Sequence, residues 1–285
     1  MRFVAFRSGV CEGLAVAPPD GELRGLLSGE DGYPGSLDFL VSHGCCVLEA
    51  AAAVLANGPE INLNQVTLLP PLSAPGKIIC VGLNYVDHSV ESGFTVPDYP
   101  TIFTRFSSSL IGCGAAIIRP RVSTQLDYEG ELVAVIGIGG RHIREQDALD
   151  HVLGYSIFND ASIRDYQKKS PQWTIGKNFD GTGAFGPHLV TADELPPGAK
   201  GLGIQTRLNG AVVQDGSTDD MVFTVARLIS ILSEAFTLSP GDIIVSGTPA
   251  GVGMARYPQL FMKQGDVCEV EIEGIGTLRN HVRDE

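Results

Sequence analysis

From residue 77 onward the chain is a succession of short apolar runs, each cut off by glycine, proline or aspartate: KIICVGLNY, TIFTRF, AAIIRP, LDYEGELVAVIG, GAFGPHLV, GLGIQTRLNGAVVQ, DIIVSG and CEVEIEGIGTLRNHV. Runs of this length bounded by turn residues read as strands. Asn209-Gly210 between apolar flanks is a two-residue hairpin signal. The 35 glycines suit tight turning and argue against a doubly wound α/β arrangement. The expected fold class is α+β and strand-rich.

The first seventy residues have a different texture. RFVAF and GLAVAPP read as short strands, LDFLVS and VLEAAAAVLANGP as helices, and VTLLPPLSAPGK as a proline-rich connector. This predicts a small N-terminal α+β domain over 1–72 and a larger domain over 73–285. Within the larger part, REQDALDHVLGY reads as one short helix. DDMVFTVARLISILSEAF at 219–236 reads as a longer one, with apolar residues at 222, 225, 229, 232 and 236. Asp215, Asp219 and Asp220 precede it and are expected to cap it.

Thirty-three acids against twenty bases leave a formal net charge of −13, spread without like-charge runs, which argues against nucleic acid and anionic membranes as partners. No apolar stretch approaches the roughly 20 residues of a membrane helix, and MRFVAFRSGVCEG has no signal-peptide grammar. The expectation is a cytoplasmic protein. Six scattered cysteines without C-x-x-C spacing read as reduced packing residues.

Chemistry concentrates in a few places. Leu126 to Ile138 reads as one strand, so Glu129 and Glu131 point to the same face and repel unless a cation lies between them. The apolar LVAVIGI beside them implies a buried setting, where an uncompensated acid pair is costly. Asp160, ending VLGYSIFN, offers a third carboxylate. An all-oxygen set suits Mg²⁺ or Mn²⁺, with Ca²⁺ as an alternative; three solvated acids at strand ends is the plainer reading.

His88 and Glu91 lie three apart, so on a helical turn the carboxylate can orient the imidazole as a general base. The loop near 92–99 has the glycine and proline content of a lid. Arg164 and Gln167 follow Asp160 at offsets of four and seven, which on a helix puts all three on one face able to grip a carboxylate. Thr248 sits in the glycine-rich turn SGTPAGVG. Lys177, alone between Gly176 and Asn178, would by itself be a solvated charge. GTGAFG at 181–186 matches a dinucleotide fingerprint literally, but Pro187 follows and no helix starts there.

Together CVGLNYVDHSVE, DYEGELVAVIG, GYSIFNDASIRDYQ, GKNFDGTGAFGP and SGTPAGVG resemble the fumarylacetoacetate hydrolase family, in its order and spacing, over about residues 75 to 282. The resemblance implies a mixed β-roll catalytic domain, a homodimer and an acylpyruvase-like activity. It also implies that Glu129, Glu131 and Asp160 hold the metal and that His88 and Glu91 activate water. Lys177 would be the active-site lysine, and Arg164, Gln167 and Thr248 would contact substrate. Arg105 stands where many members have lysine and is taken as a further substrate contact.

The function expected from this is metal-dependent C–C hydrolysis of an acylpyruvate or related 2,4-dioxo acid. The alternative is oxaloacetate decarboxylation, or isomerisation and decarboxylation of a ring-cleavage dioxo acid, since both need the same enolate stabilised. A non-catalytic binder of 2-oxo acids is the rival from another class.

Overall fold

Alternate residues of the central strands are buried on opposite faces of one large sheet. Leu132, Ala134 and Ile136 join one core, while Val133 and Val135 join another. Ile79 and Val81 divide from Ile78 and Cys80 in the same way. A strand covered on both faces needs apolar side chains at every position, which explains why LVAVIGI shows no polar alternation. The computed structural model describes residues 1–18, 21–91 and 97–285.

The large sheet runs in the order Arg24–Leu27, Cys11–Ala17, Arg2–Ser8, Gly183–Thr191, Val152–Asp160, Gly130–Ile136, Ile243–Val245, Ile78–Gly82 and Thr101–Arg105, with two short strands paired alongside. Ile243–Val245 pairs parallel with Ile78–Gly82, and most other neighbours are antiparallel. A second sheet of five strands contains the predicted hairpin, Gly203–Leu208 and Ala211–Ser217. Asn209 and Gly210 take φ of 53° and 81°, the left-handed pair that a type I′ turn requires. The architecture is the strand-rich α+β one expected.

The N-terminal residues continue the same sheet. Phe3 pairs with Leu189, and the helices Leu37–Ser42 and Cys45–Leu55 lay Leu40, Val41, Leu48 and Leu55 against the face carrying Val133 and Val135. On the opposite face the helix Val225–Ala235 packs Leu228, Ile229 and Leu232 against Leu132, Ala134 and Ile136 within one core.

Three local expectations are corrected. The stretch 126–136 is two strands, Leu126–Asp127 and Gly130–Ile136, with Tyr128 and Glu129 in the break between them. Residues 145–151 form a 3₁₀ helix, and the chain then enters the strand Val152–Asp160. The long helix starts at Val225, capped by Thr224, whose hydroxyl accepts the Arg227 N–H at 3.2 Å. Asp219 and Asp220 belong to a separate 3₁₀ turn upstream.

Candidate active site

The antiparallel register brings the three acids together. Gly130 lies opposite Asn159 and Glu131 opposite Phe158, so Glu129 faces Asp160 directly, and the Asp160 N–H donates to the Glu129 carbonyl at 2.8 Å. Directly opposed Cβ atoms are about 5 Å apart and diagonal neighbours roughly 7–8 Å, still within reach of long side chains. One carboxylate oxygen from each of Glu129, Glu131 and Asp160 falls within 4.8 Å of the others, and all three residues are buried.

Cations saturate two of these acids. Lys177, at the end of the short helix Thr174–Lys177 and 1% exposed, places Nζ 2.6 Å from both Glu129 Oε2 and Asp160 Oδ2. Arg164 Nη1 reaches Glu129 Oε1 at 2.6 Å, and Arg105 Nη1 bonds Asp160 Oδ1. Burial alone would raise the Glu129 carboxyl, but Lys177 and Arg164 outweigh it and bring it down to about 2. Burial works against the Lys177 ammonium, yet Asp160 and Glu129 hold its pKa above the usual lysine range, so it stays charged.

Glu131 differs. Its Oε2 accepts the Gly247 N–H at 2.6 Å, but burial and then the charges of Asp160 and Glu129 push its carboxyl far up, against Lys177. Gly247 has φ +99°, and a Cβ there would come within 2.8 Å of Asn84 Cβ, so only glycine presents that N–H. A buried all-oxygen trio with one member short of positive charge fits a hard divalent cation.

The dyad forms as expected on the helix Val86–Glu91. His88 Nδ1 is 2.9 Å from Glu91 Oε1. With the proton assigned to Nδ1 facing the carboxylate, Nε2 carries the lone pair. The lid expected near 92–99 falls largely on 92–96, outside the described residues.

Most of these groups line one cavity of about 190 Å³, with Asp160, Glu91 and Arg105 set behind its wall. His88, Glu129, Glu131, Arg164, Lys177 and Thr248 form its polar wall, and Val81, Leu83, Phe103, Trp173 and Met254 its apolar one. The volume lies below the roughly 300–1,000 Å³ of sites for drug-sized ligands, which suits a small metabolite.

Several sequence readings change with these neighbours. Asp160 ends a strand while the helix Arg164–Gln167 begins four residues later, so no helical face joins the three residues. Arg164 and Gln167 still line the cavity, joined by an Nη1–Oε1 bond of 2.9 Å. Arg164 Nη2 is buried with no hydrogen-bond partner among the described residues. Thr248 faces the cavity, but its hydroxyl donates to the Gly130 carbonyl at 2.9 Å. Arg105 is absent from the cavity lining; its guanidinium is taken up by Asp160, Ser109 and Thr182. Lys177 is a buried charge and no solvated one.

Asp127 escaped the sequence reading. Fully buried, it accepts N–H groups from Gly253 at 2.8 Å and Met254 at 2.9 Å, and Nε of Arg164 at 2.8 Å. It thereby ties the 251–254 turn to the arginine. The D-x-E-x-E alternation 127-129-131 was its signal. Gln214 was also missed: buried, it accepts the Gly130 N–H at 3.0 Å and donates to Thr248 Oγ1 at 2.8 Å.

Comparison with known proteins identifies the family. The family model described as Fumarylacetoacetate (FAA) hydrolase C-terminal matches residues 77–283. The mitochondrial oxaloacetate tautomerase of Homo sapiens is 39% identical over 288 residues, covering 99% of this chain and 91% of its own. That of Xenopus laevis is 42% identical over 247 residues, 86% of this chain and 77% of its own. A fumarylacetoacetate hydrolase from Exiguobacterium antarcticum superposes with TM-score 0.86 at 36% identity over the whole of both chains. A 5-carboxymethyl-2-hydroxymuconate delta-isomerase from Mycobacterium smegmatis does so with TM-score 0.78 at 30% identity, again over the whole of both.

Proposed function

Since the chain belongs to the fumarylacetoacetate hydrolase family, we propose that it is an enzyme moving a proton between carbon and oxygen of a small 2-oxo acid, with the enol and keto forms of oxaloacetate as its substrate pair. The observation that carries this reading is the placement of a free imidazole nitrogen and a buried ammonium on one small cavity. Relatives named as oxaloacetate tautomerases and as a 5-carboxymethyl-2-hydroxymuconate delta-isomerase favour this alternative over C–C hydrolysis.

In this reading His88 Nε2 takes the proton from C3 of the keto acid, while Glu91 stabilises the imidazolium through Nδ1. Negative charge then develops on the 2-oxygen, which takes that proton back from the His88 imidazolium to complete the enol. Lys177 has three N–H donors, two of them directed at Glu129 and Asp160, which leaves the third for that oxygen. Arg164 Nη2 and the free amide N–H of Gln167 receive the adjacent carboxylate. Val81, Leu83, Phe103 and Trp173 exclude water, strengthening each of these charges. Glu129, Glu131 and Asp160 would hold Mg²⁺ or Mn²⁺, which supplies Lewis-acid polarisation of the 2-oxo group when bound.

The test follows enol absorbance of oxaloacetate after subtracting the buffer rate, with and without Mg²⁺. His88→Ala should lower the rate by about 10²–10⁴; a variant as fast as the parent refutes the role of the dyad. A second reading, hydrolysis of an acylpyruvate, is favoured by the likeness to the Exiguobacterium protein, which is named a hydrolase. Loss of acylpyruvate absorbance with stoichiometric pyruvate would select it.

A further inference from the structure

The cavity has a deep end and a mouth with different chemistry. Lys177, Arg164 and Glu131, each 2% exposed or less, form the deep end, and the exposed Lys168 and Ser170 form part of the mouth. Lys168 caps the helix Arg164–Gln167, and its N–H bonds the Arg164 carbonyl at 3.1 Å. The two cations are thus one helical turn apart and line the same cavity. Asp127 and Glu129 already pair with Arg164, so the uncompensated charge on this cavity wall is that of Lys168.

Among the described residues nothing supplies an anion to Lys168. Its ammonium makes no ion pair or hydrogen bond among the described residues, whereas the next residue, Lys169, rests on the Tyr166 ring at 3.2 Å. The Ser170 hydroxyl is already turned to the Gln172 carbonyl at 3.0 Å. Beneath the mouth, Arg164 Nη2 is a buried donor with no partner among the described residues. One short helix and its cap therefore offer an unfilled N–H donor in the deep end and an unpaired cation at the rim.

We infer that Lys168 determines specificity by receiving a second carboxylate, so that the substrate class is the short 2-oxo dicarboxylates and not their monocarboxylic analogues. This rests on the 2-oxo acid reading of the deep end. A monocarboxylic acid satisfies Arg164 and leaves the rim cation bare; a four-carbon diacid bridges both. Because the rim is wet, the contribution is that of a partly screened pair.

Two measurements on the full chain with Mg²⁺ test this. The first compares binding of malate and lactate, inert acids that differ by one CH₂-linked carboxylate, using calorimetry. The parent should prefer malate, Lys168→Ala should lose about two- to fivefold of that preference, Lys168→Arg should regain most of it, and Lys168→Glu should reverse it. A malate preference that survives Lys168→Ala and Lys168→Glu overturns the inference. The second is turnover of oxaloacetate, where the loss should fall on KM more than on kcat; a loss confined to kcat also overturns it. If Lys168 governs malate binding but oxaloacetate is not turned over, the specificity role stands and the tautomerase reading falls.

Discussion

The backbone N–H of Gly251 lies 2.9 Å from each carboxylate oxygen of Glu91, so the acid that orients His88 is itself held from a turn 160 residues away in sequence. Gly251 has φ +108°, and an added Cβ would meet the Val213 carbonyl oxygen at 2.2 Å. Gly251→Ala should therefore shift the turn, release Glu91 and tilt the imidazole. Strain of this kind costs about 1–3 kcal/mol, and misplacing a catalytic group by an ångström costs on the order of 10²-fold in rate. Thermal unfolding and turnover measured together check both effects. Full activity in the alanine variant would show that the Gly251 contact is dispensable.

Lys177 stands between the two acids it neutralises, 2.6 Å from each. Lys177→Met should leave Glu129 and Asp160 short of positive charge in a buried site, and breaking a buried pair in this way costs about 3–5 kcal/mol. A divalent cation bound by the same acids offsets that loss, since a ligand at 100 times its Kd stabilises by about 2.7 kcal/mol. The variant should gain more from Mg²⁺ than the parent does in denaturant midpoints. Equal gains would mean that lysine and cation do not share the carboxylates.

How far the sequence revealed this site depended on sequence distance. The E-x-E pair and the His88–Glu91 turn are local patterns, and both arrangements are present. Asp160 could be chosen as a third acid, but only the Gly130–Asn159 register places it opposite Glu129. Arg105 was expected to contact substrate, and nothing nearby in sequence shows that Asp160, 55 residues on, bonds its guanidinium. The same limit hid Asp127, whose partners lie 37 and 126 residues away. The pairing of Phe3 with Leu189 likewise could not be read from a texture change near residue 72.

Asp127 joins Arg164 to the 251–254 turn, so Asp127→Asn should act on substrate affinity as well as on stability. An amide turns one acceptor into a donor that faces N–H groups of Gly253, Met254 or Arg164. An unsatisfied buried group costs about 1–3 kcal/mol. With its Nε partner weakened, Arg164 loses its aim into the cavity, and KM for the 2-oxo acid should rise by about tenfold, a step of 1.4 kcal/mol. A lower unfolding midpoint with an unchanged KM would confine Asp127 to the scaffold.

His188 should give the protein a pH-dependent stability term away from the site. Burial lowers its pKa from the usual value of 6.5, with Arg2 adding to the shift, although its Nε2 lies 2.7 Å from the Ile275 carbonyl and that contact favours the charged form. The folded state thus prefers neutral imidazole. Below about pH 6.5 the unfolded chain binds a proton that the folded chain resists, so stability falls as pH drops. The contribution is fully present above 6.5, is lost as pH falls toward the depressed folded pKa, and is level below it. His188→Gln keeps an N–H donor for Ile275 without a titrating ring. Urea midpoints of parent and variant should run parallel from pH 7 to 8, and the parent should lose more stability than the variant between pH 6.5 and 5. A constant offset across the whole range would show that His188 does not titrate differently in the two states.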